Sequence, residues 1–532
     1  QRADRGLPAN PRILLEGIDI SIERSLLVDA PGGSVELIGS RLSTSSSSST
    51  GPAGSITLMA DQVRVDGGSE LLARGAAGGG LIQVGGSWQN QDPGVRQAIV
   101  TSIEPGAVLD ASAINSGDGG TIVVWSNTLN PESQTTVAGQ LFALGGIKGG
   151  DGGAIETSGA SLQIGDIDVQ ASATKGASGL WLLDTWDFEI DSYYAQKIME
   201  ALNGGIDVTV STANDDVNLG DYSRIEGEGD IKILSPIQAG GESTLTLEAA
   251  NNIVLDLSGL NAKDFPDFAI ERTLPGNGSV DLKAAKNITV YPASGIKLSG
   301  DQNQLKIDAG ENITLKSGAP TSIYHEGVES IELKAGNGLV GGGNVELGGG
   351  DLKIDQGGET TYSGMISTGG SLLKEGEGKL ELQTRQKVDQ VHVKEGAIAL
   401  DSQNIFPFSA LIKIEDMATV ASGYSQTIGS LSGSGAYEMT EPGAYLFINV
   451  PHSTVDGFSR NATRDHQLSS QANFAGSISS EDSNVRIVKD GPGMQTFSNV
   501  NLEGFSGDIE IKSGTLRFHV DEGTEVEISK HI

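Results

Sequence analysis

Apolar and polar residues alternate with a period of two along almost the whole chain, in short runs broken by Gly, Asn, Asp or Ser. GSITLMA at 54–60, QVRVD at 62–66, GTIVVW at 120–125, TLTLE at 244–248 and VDLK at 280–283 are examples. That period places alternate side chains on opposite faces of a strand, and the intervening Gly and Asn supply turns with φ > 0. Helical spacing occurs convincingly once: Asp191-Ser192 caps a predicted helix over 193–202, stopped by Gly204 and Gly205. The pattern predicts an all-β protein with one short helical excursion.

Repeats decide how the strands are arranged. LTLEAANNI at 245–253, LKAAKNI at 282–288, IDAGENI at 307–313 and LKAGNGL at 333–339 superpose, which makes Asn252, Asn287, Asn312 and Gly338 equivalent positions of successive units. Each unit reads strand, Ala/Gly corner, Asn, strand. Asn tolerates the left-handed conformation of a corner, and Ala or Gly leaves room where the chain bends inward. A unit of this size buries its apolar face only by stacking on another, which predicts a right-handed parallel β-helix with coils of roughly 20–25 residues. Asn252, Asn287 and Asn312 are expected at equivalent corners, and the helix outside the stack with Ile198 and Leu202 packed on it. A string of antiparallel sandwiches is the rival, but it calls for more aromatic residues and Trp-centred cores. By repeat style the chain divides into 1–190, a helical excursion and return strand at 191–210, Asn-cornered repeats at 211–364, and a further repeat type at 365–532.

Composition narrows the partners. The 532 residues include 75 Gly and no Cys, so disulfide staples and thiolate metal sites are excluded. With 69 acidic against 35 basic residues the formal charge is −34, which argues against nucleic acid or anionic lipid as a partner. No run of 18 apolar residues exists to span a membrane as a helix. The stretch from Gln1 to Arg5 carries no signal-peptide apolar core, so a secretory signal is expected to be absent or already removed.

Catalytic and cofactor motifs are not recognised in the chain. The six His residues (His325, His392, His452, His466, His519 and His531) show no metal-ligand spacing, and no Gly-x-Ser-x-Gly elbow occurs. Gly336–Gly341 spells Gly-x-Gly-x-x-Gly, but a strand follows where a phosphate-binding helix is needed, so it reads as a turn. Carboxylates cluster at Asp264, Asp267 and Glu271, and at Asp215, Asp216 and Asp221 continuing through Glu226, Glu228 and Asp230. Lacking a stacked basic companion, these read as solvated groups rather than a polysaccharide-cleaving set. No catalytic residue and no cofactor is assigned. Asp118 and Asp151, in two Gly-Asp-Gly corners, are weak calcium candidates; corners closed by Asx turns are the favoured reading. Sequons stand at Asn277, Asn287, Asn312 and Asn461, two of them at repeat corners.

Three ordered motifs carry a resemblance. GDGGTIVVWS at 117–126 is followed by LGG at 144–146 with GGDGGAIETSG at 149–159, and then by GLWLLDTWDFEI at 179–190. In this order they resemble the filamentous-haemagglutinin class of exoproteins secreted by the two-partner route, with Thr185 where that class usually has Pro. From about 365 to 525 the chain is similar to autotransporter-associated β-helix repeats. KEGEG at 374–378 and KDGPG at 489–493 match their Lys-x-Gly-x-Gly core, and TIGSLSGSG at 427–435 and GTLRF at 514–518 match the flanking pieces. In the first class the Trp-Leu-Leu-Asp region is structural, so Trp125, Trp181 and Trp186 are expected to seal the coil stack rather than stack on sugars.

Both resemblances imply a bacterial β-helix, secreted or displayed at the cell surface, that mediates attachment or forms extracellular matrix. They imply an outer-membrane transporter as partner during secretion, and a surface ligand, glycan or protein, or other copies of the chain. A polysaccharide-degrading β-helix enzyme and a passive stalk for a C-terminal effector are the alternatives. The secretion domain and a terminal barrel of those classes are not recognised in the sequence, which reads as a segment of a longer exoprotein.

Overall fold

The computed structural model describes all residues except 1–10, 48–50, 214–228, 261–266, 274, 275, 277, 319, 320, 328, 451–471, 481, 521–523, 531 and 532. Its strands stack in parallel, apart from the antiparallel pair Gly514–Val520 and Thr524–Lys530, and the chain falls into two compact units, 1–254 with 271–285 and 255–270 with 286–532. Each is built as a parallel β-helix.

In the N-terminal unit, one column of strands stacks Ser55–Val65, Leu81–Val84, Thr121–Trp125, Ala154–Ser158, Gly179–Asp184, Ile206–Ser211 and Leu245–Ala249. Inward positions align into an aliphatic column, Ile56, Ile82, Ile122 and Ile155, which Trp181 extends before Val208 and Leu245. Each such residue is buried, contributing roughly 1.5–3 kcal/mol. Trp181 is an interior side chain whose indole N–H donates to Thr157 Oγ1 at 3.1 Å, as the structural reading requires of a buried Trp.

The Gly-Asp-Gly-Gly motifs form the corner leading into this column. Gly80, Gly120, Gly153 and Gly179 stack there, and a Cβ on Gly120 would lie 2.0 Å from the Gly80 carbonyl oxygen. Backbone approaches too closely for any side chain: the carbonyls of Gly80, Gly120 and Gly153 accept the N–H groups of Thr121, Ala154 and Leu180 at 2.9–3.0 Å.

The helix runs Ser192–Asn203, with Asp191 as N-cap accepting from the N–H groups of Tyr193 and Tyr194. Ala195, Ile198, Ala201 and Leu202 form its buried stripe against the unit's strands. The expected excursion and its two anchor residues are therefore present, and the turn out of it uses Gly205 at φ 77°.

In the C-terminal unit the inward column reads Ile307, Leu333, Ile354, Lys374, Val393 and Ile414. A buried lysine thus interrupts an aliphatic series. Asn287 and Asn312 occupy successive rungs, the Asn312 N–H donating to Asn287 Oδ1 at 3.2 Å, and Gly338 pairs with Asn312 one coil on. Asn252, in the other unit, likewise precedes a strand, Ile253–Leu255, and its N–H donates to Asp230 Oδ1 of the preceding coil at 3.1 Å. None of the three takes the expected left-handed backbone; each instead uses its side-chain amide to donate to an adjacent coil, Asn252 to Asp230, Asn287 to Glu311 and Asn312 to Asn287. Coil length varies more widely than the repeats suggest. The coil from Leu81 to its partner Thr121 is about twice as long as the coil from Leu372 to its partner Val391.

Candidate functional site

The longer of these two coils throws out residues 85–99 between the strands Leu81–Val84 and Val100–Ile103, and this excursion builds the principal groove of the N-terminal unit. Gly85, at φ 79°, turns the chain off the sheet; Gly86 then crosses the indole of Trp125 so closely that a Cβ would lie 2.3 Å from the ring. The segment folds back over the outer face of the strand column. Trp125, which points outward, is 2% exposed as a result, its Nε1 donating to Gln97 Oε1 at 3.1 Å. Arg96 ties the far end down through its N–H to Met59 Sδ at 3.3 Å and its guanidinium to Asp29.

The tip is held by a buried acid. Glu156 points outward from Ala154–Ser158 yet has no exposed surface, because Gln89 lies over it and donates its N–H to Glu156 Oε2 at 2.9 Å. Ser158 Oγ donates to the other oxygen at 3.0 Å. Burial, reinforced by the charge of Asp184 on the next rung, pushes the Glu156 carboxyl up to about 8, although both hydrogen bonds pull the other way. Gln89 and Asn90 adopt left-handed backbone at φ 44° and 54°, a cost accepted at the point where Trp88 is presented.

Beside this tip the groove opens to about 750 Å³. Its floor is two columns of outward side chains on consecutive rungs: Leu182, Thr209 and Thr246, and next to them Asp184, Ser211 and Glu248. Trp88, Gln91 and Leu129 lie along its walls. The arrangement offers hydroxyls, amides and carboxylates beside the Trp88 indole, without a Lys or Arg side chain among the described residues of the lining. Glu156 lies one rung beside Leu182, under Gln89, and exposes no oxygen to the groove.

The residues singled out from sequence lie elsewhere. Asp118 and Asp151 do stack on successive coils, but their oxygens do not close their own turns. Asp118 Oδ1 accepts the Asp151 N–H at 2.8 Å, and Asp151 Oδ1 accepts the Ala177 N–H at 2.8 Å. The Asx-turn reading is corrected: each carboxylate braces the next coil, because the corner glycines bring that coil's N–H within reach. Among the described residues no three His, Asp or Glu side chains gather as a metal-binding set. Of the carboxylate clusters, residues 215–228 and Asp264 lie outside the described residues, Asp230 accepts from Asn251 and Asn252, and Glu271 from Gln238. Trp186 is half-buried, its indole N–H donating to the Thr128 carbonyl. Trp88 and Glu156 escaped notice as site residues. The Gly85-Gly86 step before Ser87-Trp88 is the signal that marks the first; nothing local marks the second, since its cover comes from 67 residues earlier.

In the C-terminal unit, Lys374 and Lys489 account for the Lys-x-Gly-x-Gly motif. Each lysine is fully buried and folds its ammonium onto its own turn, donating to the carbonyls of Glu375 and Gly376 (2.5 and 2.8 Å) and of Asp490 and Gly491 (2.5 and 2.8 Å). Burial pulls both ammonium groups down to about 8. Compared with protein-family models and with curated proteins, the chain matches none.

Proposed function

We propose that this chain is a bacterial exoprotein of the filamentous-haemagglutinin type, secreted or displayed at the cell surface, where it mediates attachment or builds extracellular matrix. The observation that carries the reading is the groove: one coil of an otherwise strand-and-corner scaffold is lengthened to roof a recess with an aromatic and polar rim. The reading is further supported by the motifs, whose residues do corner work on a parallel β-helix, Gly120 and Gly153 as the close-approach ladder and Lys374 and Lys489 as turn clamps. Display is tested by expressing the chain's gene together with an outer-membrane transporter of the two-partner type in a Gram-negative host. Surface labelling and protease shaving of intact cells should reach the chain, and the cells should gain attachment or matrix over a transporter-null control. Retention inside the cell, or export with neither gain, removes the proposal.

A second reading, a polysaccharide-cleaving enzyme, draws on one observation, a carboxyl held protonated near neutral pH beside Asp184, as where acid and base roles are separated in glycoside hydrolysis. It requires Gln89 to lift away from Glu156, whose oxygens are covered in this structure. Release of reducing ends that vanishes in Glu156→Gln would favour it over the adhesin.

A further inference from the structure

The groove beside the 85–99 excursion has a lining specific enough to name what it takes. We propose that it binds an uncharged polysaccharide chain, laid across successive rungs with one sugar ring against the Trp88 indole. The inference rests on the adhesin reading above and gives its ligand a chemical class.

Four features lead to it. The first is size: about 750 Å³ lies in the upper range of small-molecule sites, room for a few sugar rings rather than one. The second is periodicity. Leu182, Thr209 and Thr246, with Asp184, Ser211 and Glu248 beside them, repeat an outward side chain at every rung, about 4.8 Å apart. A linear polymer of rings, each bearing hydroxyl groups, meets such a floor unit by unit. The third is chemistry. Ser and Thr hydroxyls donate and accept, the Glu248 carboxylate accepts from vicinal hydroxyls, and a half-buried indole offers the flat apolar face that the C–H side of a pyranose covers. With no basic side chain among the described residues of the lining, a sulfated or carboxylated chain would face like charge, so the uncharged class is selected.

The fourth feature is preorganisation. Trp88 stands on a tip fixed by the Gln89–Glu156 and Trp125–Gln97 hydrogen bonds, so little ordering remains to be done on binding. A basic peptide is the rival occupant. It is less suited because hydroxyl and amide side chains outnumber carboxylates in the lining, and Asp184 is only 6% exposed.

The test uses the full chain and defined probes: gluco-, manno- and chito-oligosaccharides of four to six units, with a heparin oligosaccharide and an oligolysine alongside, followed by calorimetry or saturation-transfer NMR. Binding of at least one neutral series is expected. Trp88→Ala should weaken it tenfold or more, and Thr246→Arg, which fills the floor from an outward position without touching the interior, should abolish it. Circular dichroism and the melting midpoint of both variants should match the parent, separating lost binding from lost fold. Preference for heparin or oligolysine, absence of binding to every neutral series at millimolar concentration, or binding indifferent to both substitutions would overturn the proposal. Attachment that survives in cells displaying Trp88→Ala and Thr246→Arg would reject the glycan site while leaving the adhesin reading standing.

Discussion

Two lysines stand where the coil interior otherwise places aliphatic side chains. Lys374 lies between Ile354 and Val393 in its column, and Lys489 between Ile448 and Ile511. Their stems fill the column while the ammonium satisfies two carbonyls that the Gly turn would otherwise leave buried. Lys374→Ala should therefore cost about 2–4 kcal/mol in chemical denaturation, from cavity and orphaned carbonyls together. Lys374→Met should recover the packing share only, and equal losses for Ala and Met would show that the ammonium alone matters. Between pH about 8 and 10.5 the unfolded chain keeps these protons and the folded chain has shed them, so the lysines make stability rise with pH across that window. Glu156 works in the opposite sense. Its folded carboxyl holds a proton up to about pH 8, whereas an unfolded Glu releases it near 4.3, so its contribution is complete below that value and is lost as pH rises to about 8. Glu156→Gln, which retains an acceptor for Gln89, should flatten the pH dependence of the melting midpoint between about 4.5 and 8. It should also be the more stable form at pH 8, by on the order of a few kcal/mol; an unchanged slope would show that Glu156 is ionised in the fold.

The strands and corners were legible because each is specified locally. Alternation in TLTLE at 244–248 sets which residues face inward, and Asn287 and Asn312 mark corners, though through side-chain amides that reach the neighbouring coil rather than through left-handed backbone. The helix was legible for the same reason: Asp191, Ile198, Leu202 and Gly205 fix its start, face and stop within one short stretch of chain. The groove was not. Val123, Trp125 and Glu156 occupy outward positions that alternation assigns to solvent, and they are buried by a segment distant in sequence. The role of Asp118 was misjudged similarly, since its partner N–H is 33 residues away. The glycine corner offers a test at this scale. A methyl group at Gly120 meets the carbonyls of Gly80 and Ala111 at 2.0 and 2.7 Å, backbone atoms that cannot step aside without breaking the rung. Gly120→Ala should cost at least about 3 kcal/mol, above the usual range for a surface substitution, with faster amide exchange at Thr121 and Ala154 than at the distant Asn312 rung. Wild-type stability in this variant would mean that the corner is looser than it stands.

Taken over the whole chain, charge is unbalanced, yet the faces of the coils are not uniformly acidic. In the N-terminal unit Arg64 lies between Glu36 (3.1 Å) and Glu104 (3.2 Å), and Arg12 caps Glu36 at 2.5 Å. In the C-terminal unit Lys353 bridges Glu332 (2.9 Å) and Glu375 (2.8 Å), and Lys394 adds a second contact to Glu375 at 2.7 Å. These ladders hold the Glu36 and Glu375 carboxyls below the usual range, but exposed pairs contribute little each. The −34 net charge should outweigh them, so the melting midpoint should rise with sodium chloride as screening sets in; a fall would give the ladders the larger share. Calcium at matched ionic strength should add nothing further, and a chelator should change nothing, if Asp118 and Asp151 serve only to brace coils. A calcium-specific rise would restore them as ligands. The unequal coils carry a different consequence. Rungs pair in register whether the coil between them is short, as from Leu372 to Val391, or long, as from Leu81 to Thr121. Register is therefore independent of how much chain is spliced in between two rungs. Within 85–99 the parts that cover Trp125 and Glu156 belong to the support, but a foreign epitope inserted at the exposed residues 91–94 would be carried while every rung keeps its neighbour.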